Sequence, residues 1–144
     1  MRRAARTTVT VLLALTAALI PAAGVTADTG LTTTADTATL GPHRTSVVLA
    51  GTYSCGPFAS GRPARGVIDL TVRQTAKGET VTAIGFLEPS VCDGSAQPFE
   101  VTLTGTSGGR FERGAATWSA SGYVEGDTGT QTVDVPPTPI VLTK

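Results

Sequence analysis

The sequence predicts an all-β fold: one antiparallel β-sandwich or small barrel of six to seven short strands, held by one disulfide and preceded by a signal peptide. Three observations carry this. Apolar side chains recur with period two from Ser46 onward, glycine and proline clusters separate the runs, and no segment after the first 27 residues repeats with the helical period. The missing alternation of strands with helices excludes an α/β sheet. At 144 residues the chain has room for one domain.

The first 27 residues read as a secretory signal. Arg2, Arg3 and Arg6 form a basic start, Val9 to Ile20 an apolar run, and Val25-Thr26-Ala27 a small-residue cleavage pattern. The run is about a dozen residues, short of the roughly 20 that span a bilayer. Cleavage after Ala27 leaves a product expected to be secreted, released or held at the cell wall, with no stable membrane insertion. It removes three of the 11 Lys+Arg and none of the 11 Asp+Glu, leaving a net charge of −3. Without a basic stripe to neutralise phosphates, a nucleic-acid partner is excluded. The two cysteines, Cys55 and Cys92, are expected to pair in an oxidising compartment. The chain contains no asparagine, so N-linked glycosylation has no acceptor.

Residues 28–45 are rich in Thr, Ala and Asp and poor in large apolar groups. They read as a flexible leader that donates at most an edge strand near Leu40. The β domain is expected over residues 46–144. Val47, Leu49, Gly51, Tyr53 and Cys55 share one face of a first strand, and Ile68, Leu70 and Val72 one face of a second. Ala76-Lys77-Gly78-Glu79 is a turn, followed by a less regular strand over Thr80–Leu87. Phe99, Val101 and Leu103 mark the next strand, and Ala116, Trp118 and Ala120 the one after it. Gln131–Val135 and Ile140–Leu142 close the chain as separate segments, with Pro136, Pro137 and Pro139 placing the last at a sheet edge. Tyr53, Phe86, Phe99 and Trp118 are the expected large core members.

Tests for chemistry return little. Gly105-Thr106-Ser107-Gly108-Gly109 matches the G-x-S-x-G string, but both neighbours read as strands and the one histidine, His43, lies upstream. No metal or cofactor is expected, since zinc needs three or four His/Cys ligands. Glu125, Asp127 and Asp134 lack the spacing of a calcium loop and read as a solvated acidic turn. Asp69, Glu88, Asp93, Glu100 and Glu112 are too scattered to pair as glycosidase acids. The candidate recognition loop is Gly56–Gly66, which begins beside Cys55 and carries Phe58, Arg62 and Arg65.

Gly51-Thr52-Tyr53-Ser54-Cys55, Val91-Cys92-Asp93-Gly94 and Phe111-Glu112-Arg113-Gly114-Ala115-Ala116 resemble an uncharacterised family of small secreted actinobacterial proteins. The pattern is similar to G-T-Y-x-C … C-D-G … P-G-x-A and covers about Val47 to Leu142. The resemblance implies an immunoglobulin-like β-sandwich and the pairing of Cys55 with Cys92, and it transfers no activity. Arg113 stands where that pattern often has proline. The secreted enediyne-binding apoproteins share the size and general architecture but carry two disulfides.

The expected function is that of a non-enzymatic binding or interaction module, with an extracellular protein, a cell-wall component or a small molecule as partner. A protease or hydrolase inhibitor using Gly56–Gly66 is the alternative, and a small extracellular hydrolase ranks last.

Overall fold

The computed structural model describes residues 30–144. The signal peptide expected over residues 1–27, and the first two residues of the leader, lie outside that range. Seven strands run in order: β1 (Thr32–Leu40), β2 (Ser46–Ser54), β3 (Arg65–Ala76), β4 (Glu79–Leu87), β5 (Gln97–Gly105), β6 (Gly114–Gly126) and β7 (Gly129–Thr143). A single 3-10 turn, Pro42–Arg44, is the one helical element among the described residues. The hydrogen-bonded order β1-β2-β5-β4-β3-β6-β7 closes into a barrel through a parallel contact of β1 with β7.

The barrel is not evenly sewn. β2 and β5 pair along their full length, from Ser46↔Thr104 to Tyr53↔Gln97, and β3 pairs with β4 from Ile68↔Leu87 to Ala76↔Glu79. By contrast, β4 meets β5 only at Ala83↔Gly105 and Ile84↔Thr104, and β1 meets β7 only at Ala38↔Leu142 and Thr39↔Thr143. Two thin seams thus divide the three strands β1, β2 and β5 from the four strands β4, β3, β6 and β7.

The leader is not flexible from Thr32 onward: it forms β1, which ends at Leu40 where a strand was expected. Its threonines suit a strand because a β-branched side chain packs well on a pleated surface. Cross-strand hydroxyl contacts hold it: Thr32 to Ser54 at 2.7 Å and Thr34 to Thr52 at 2.9 Å. A bulge at Asp36, where the register slips between Ala35 and Thr37, moves the buried positions from Leu31 and Thr33 to Ala38. That change of parity breaks the period-two signal.

The chain end is corrected too. The two expected segments form one strand, β7, because β6 absorbs the prolines through a register slip between Trp118 and Ala120. On its other side β7 is unpaired until Leu142, so Pro136 and Pro137 forfeit no ladder bond there.

Inward residues Val47, Leu49, Ile68, Leu70, Val72, Leu103, Val124 and Leu142 are at most 1% exposed and fill the barrel. Tyr53, Phe99 and Trp118 join them as expected. Phe86 does not: it is 62% exposed. It sits one residue out of phase with the buried Val81 and Ala83, on the outer face of β4. A different aromatic, Phe111 from the loop between β5 and β6, is fully buried instead.

Candidate functional site

The disulfide end of the barrel is a set of loops locked to one another. Cys55 and Cys92 are bonded, as expected, across 37 residues. Around them the Phe58 N–H donates to the Cys92 carbonyl at 2.9 Å, the Cys92 N–H to the Gly61 carbonyl and the Gly94 N–H to the Cys55 carbonyl, each at 2.8 Å. Gly56, buried with φ of 86°, leaves no space for a side chain because the Cys92 carbonyl occupies it. The Gln131 amide closes this arrangement, accepting the Gly56 N–H at 2.8 Å and donating to the Gly56 carbonyl at 3.2 Å.

The candidate recognition residues separate here. Phe58 is buried, 4% exposed, with its ring laid over the backbone of Gly126. The expectation that the loop presents Phe58 is therefore corrected: an apolar ring finds more contact under the β6–β7 turn than in water. Arg65 pairs with Glu125, Nη2 to Oε2 at 2.7 Å, on the surface. Arg62 stays exposed in the turn that the Ser60 hydroxyl closes by donating to its carbonyl at 2.8 Å.

The acidic turn has a structural use. The Asp127 carboxylate accepts the Ala59 N–H at 3.0 and 3.2 Å, and the Glu125 carbonyl accepts the Ala64 N–H at 2.7 Å. Loop Gly56–Gly66 is thereby pinned to the β6–β7 hairpin. Among the described residues no group of three His, Cys, Asp or Glu gathers as a metal site. Ser107 lies in the loop joining β5 to β6, and His43 is exposed on the 3-10 turn at the start of β2.

A different surface offers room for a ligand. Where β4 and β5 part, a cleft of about 600 Å³ opens, lined by Asp69, Thr71, Ile84, Phe86, Val101 and Thr102 among others. Strand periodicity places Asp69 and Thr71 of β3, Ile84 and Phe86 of β4, and Thr102 and Thr104 of β5 on one outer face. Ile84 is 52% exposed, and Asp69 stands directly opposite Phe86 in the register. The floor comes from the seam itself. Gly85, without a side chain, lets β4 settle against Val101 and Leu103, where an added Cβ would lie 3.3 Å from both. The arrangement offers apolar contact, a carboxylate and three threonine hydroxyls, and no nucleophile–base pair.

Sequence reasoning placed Phe86 in the core and so missed this cleft. The signal was present in the irregular phase of Val81, Ile84, Phe86 and Leu87, which cannot all face one way. Comparison with protein-family models, with curated proteins and with solved structures returns no significant match.

Proposed function

We propose that this chain is an exported, non-enzymatic binding module that engages its partner through the cleft between β4 and β5. The observation that carries the reading is the exposure of Ile84 and Phe86 side by side at the rim of a 600 Å³ cleft. Large apolar groups scattered singly on a surface are ordinary, whereas two beside a concave opening supply binding area. Asp69, opposite Phe86, selects partners that bring a hydrogen-bond donor or a cation with their apolar group.

Support for export comes from the basic-apolar-small pattern of residues 1–27 and from the disulfide, which persists in oxidising compartments. We read the strand order as immunoglobulin-like, the two thin seams dividing the barrel into a three-strand and a four-strand layer. The actinobacterial family resemblance agrees with that reading. The inhibitor alternative is left with Arg62, since Phe58 is buried and Arg65 is paired.

The test is capture on the immobilised chain from the producing organism's envelope and culture fluid, alongside an Ile84→Ser/Phe86→Ser variant. The expected result is a component retained by the native chain, lost on the variant and lost after reduction. Identical retention by both proteins would overturn the assignment to this cleft.

A further inference from the structure

The end of the barrel opposite the disulfide gathers cations from three distant parts of the chain. Arg44, Arg113 and Lys144 line a cleft of about 460 Å³ with Leu40, Gly41 and Pro42. All three are exposed, and none has an ion-pair partner among the described residues, whose two salt bridges are Arg65–Glu125 and Lys77–Glu112. Glu112, the acid next in sequence to Arg113, is engaged by Lys77 at 2.9 Å and also feels the Arg44 charge, so it offsets part of the cluster's positive field without pairing with it. The cluster stands on a chain with no excess of positive charge, so the bulk composition does not account for it.

Arg44 is carried on backbone fixed by specific bonds, and Arg113 and Lys144 each follow a residue that is so fixed. His43 and Arg44 both adopt positive φ, 57° and 59°, a conformation that non-glycine residues hold only where the surroundings impose it. The Arg44 carbonyl accepts the Phe111 N–H at 2.8 Å, and the fully buried Phe111 ring anchors that contact in the core. Next to Arg113, the backbone of Glu112 is gripped by the buried amide of Gln74. Beside Lys144, Thr143 donates its hydroxyl to the Ala38 carbonyl at 3.3 Å and pairs with Thr39. Like charges brought together on fixed supports repel one another, and an anion between them relieves that repulsion.

We propose that this cleft binds an organic phosphate monoester. Guanidinium forks match phosphate oxygens in geometry and charge, and two arginines with a lysine more than offset a group carrying close to two negative charges. The apolar wall of Leu40 and Pro42 gives the carbon part of an ester a surface that inorganic phosphate or sulfate would leave bare. No residue lines both this cleft and the β4–β5 cleft, and the two readings stand independently.

The test is a titration of the whole chain with glycerol 3-phosphate, inorganic phosphate and sulfate, read by calorimetry and by amide chemical shifts. The expected result is at least tenfold tighter binding of glycerol 3-phosphate than of either inorganic anion, weakened at high salt. Shift changes should centre on residues 40–44, 111–113 and 142–144. Arg44→Gln/Arg113→Gln should lose at least tenfold in affinity, and Arg44→Lys/Arg113→Lys an intermediate amount. Arg62→Gln, at the other end of the barrel, should bind as the native chain does. The native amide spectrum of each variant checks that it is folded. Equal weak binding of all three anions, or affinity unchanged in the double glutamine variant, would overturn the proposal.

Discussion

Gln74 grips Glu112 by both ends of its amide: its Oε1 accepts the Glu112 N–H at 2.8 Å while its Nε2 donates to the Glu112 carbonyl at 2.9 Å. The same Nε2 donates to the Ala115 carbonyl at 3.2 Å. Gln74 is 4% exposed, so a polar group on the inner face of β3 is fully used in holding the loop that buries Phe111. Replacing it by leucine keeps the volume and removes every bond. Gln74→Leu should destabilise the fold by about 1–3 kcal/mol, the cost of leaving buried backbone groups unpartnered. Urea unfolding measures the loss, and faster amide exchange at Phe111 and Glu112 should locate it.

Phe58 and Gly126 give the second prediction. A Cβ on Gly126 would lie 2.5 Å from the Phe58 ring, which is buried and cannot swing away. Gly126→Ala should therefore cost about 1–3 kcal/mol as an overpacked contact. Phe58→Leu frees space at that point. In a double-mutant cycle by urea unfolding, the combined loss should fall short of the sum of the single losses.

These two contacts mark where the sequence stops being legible. The strands β2, β3, β5 and β6 announce themselves because one face is apolar and the other polar, as in Ile68, Leu70 and Val72 against Asp69, Thr71 and Arg73. The disulfide follows from the count of two cysteines together with the export expected from residues 1–27. β1 is hidden because small and threonine side chains contribute through cross-strand pairing rather than bulk, and because the bulge at Asp36 resets its phase. Phe58 and Phe111 lie in loops, where no periodicity reports burial; only the tertiary fold decides that one covers Gly126 and the other is buried in the core beside the Arg44 backbone. The basic cleft is illegible for a simpler reason. Arg44, Arg113 and Lys144 are far apart in the chain and meet only when the barrel closes.

The Cys55–Cys92 bond closes a loop of 37 residues. In the chain-entropy account its removal should lower stability by about 4 kcal/mol. The bond also carries the contacts of Gly56, Phe58, Gly61 and Gly94 with the cysteine backbones. A Cys55→Ala/Cys92→Ala variant should lose amide protection first over residues 55–64 and 90–96. The strands β3 and β6, paired from Arg65↔Glu125 to Arg73↔Thr117, should be the last to exchange.

Acid should weaken the fold through two surface carboxyls. The hydrogen bond from Lys77, and then its charge, hold Glu112 below the usual glutamate range. The Ser95 hydroxyl, and then its N–H, lower Asp93. A carboxyl depressed in the folded state adds stability above its unfolded pKa, and that contribution drains away as pH falls through the folded value. Stability should therefore decline from about pH 5 downward, as ordinary carboxylates begin to protonate. Lys77→Gln should return the Glu112 titration toward the ordinary value and leave Asp93 unmoved, read from side-chain carboxyl shifts by NMR. Salt should shrink the Glu112 displacement, since both partners are solvated.

Phe86 and Phe99 are a pair of aromatics that sequence pattern treats alike and the fold separates. Phe99 lies on β5 with 7% of its surface exposed, opposite Gly51 in the register, and its removal opens a cavity in the barrel. Phe86 stands on β4 at the rim of the seam cleft with most of its ring in water. Phe99→Ala should cost about 3–5 kcal/mol, the usual loss for a buried ring. Phe86→Ser has no cavity to create and should stay within about 0.5 kcal/mol of the native chain in the same urea unfolding series. Such a variant should be folded yet weakened at the cleft, where Ile84 remains. A loss of partner capture in it therefore reports on binding and not on stability. Equal destabilisation by the two changes would place Phe86 inside the core and remove the cleft from consideration.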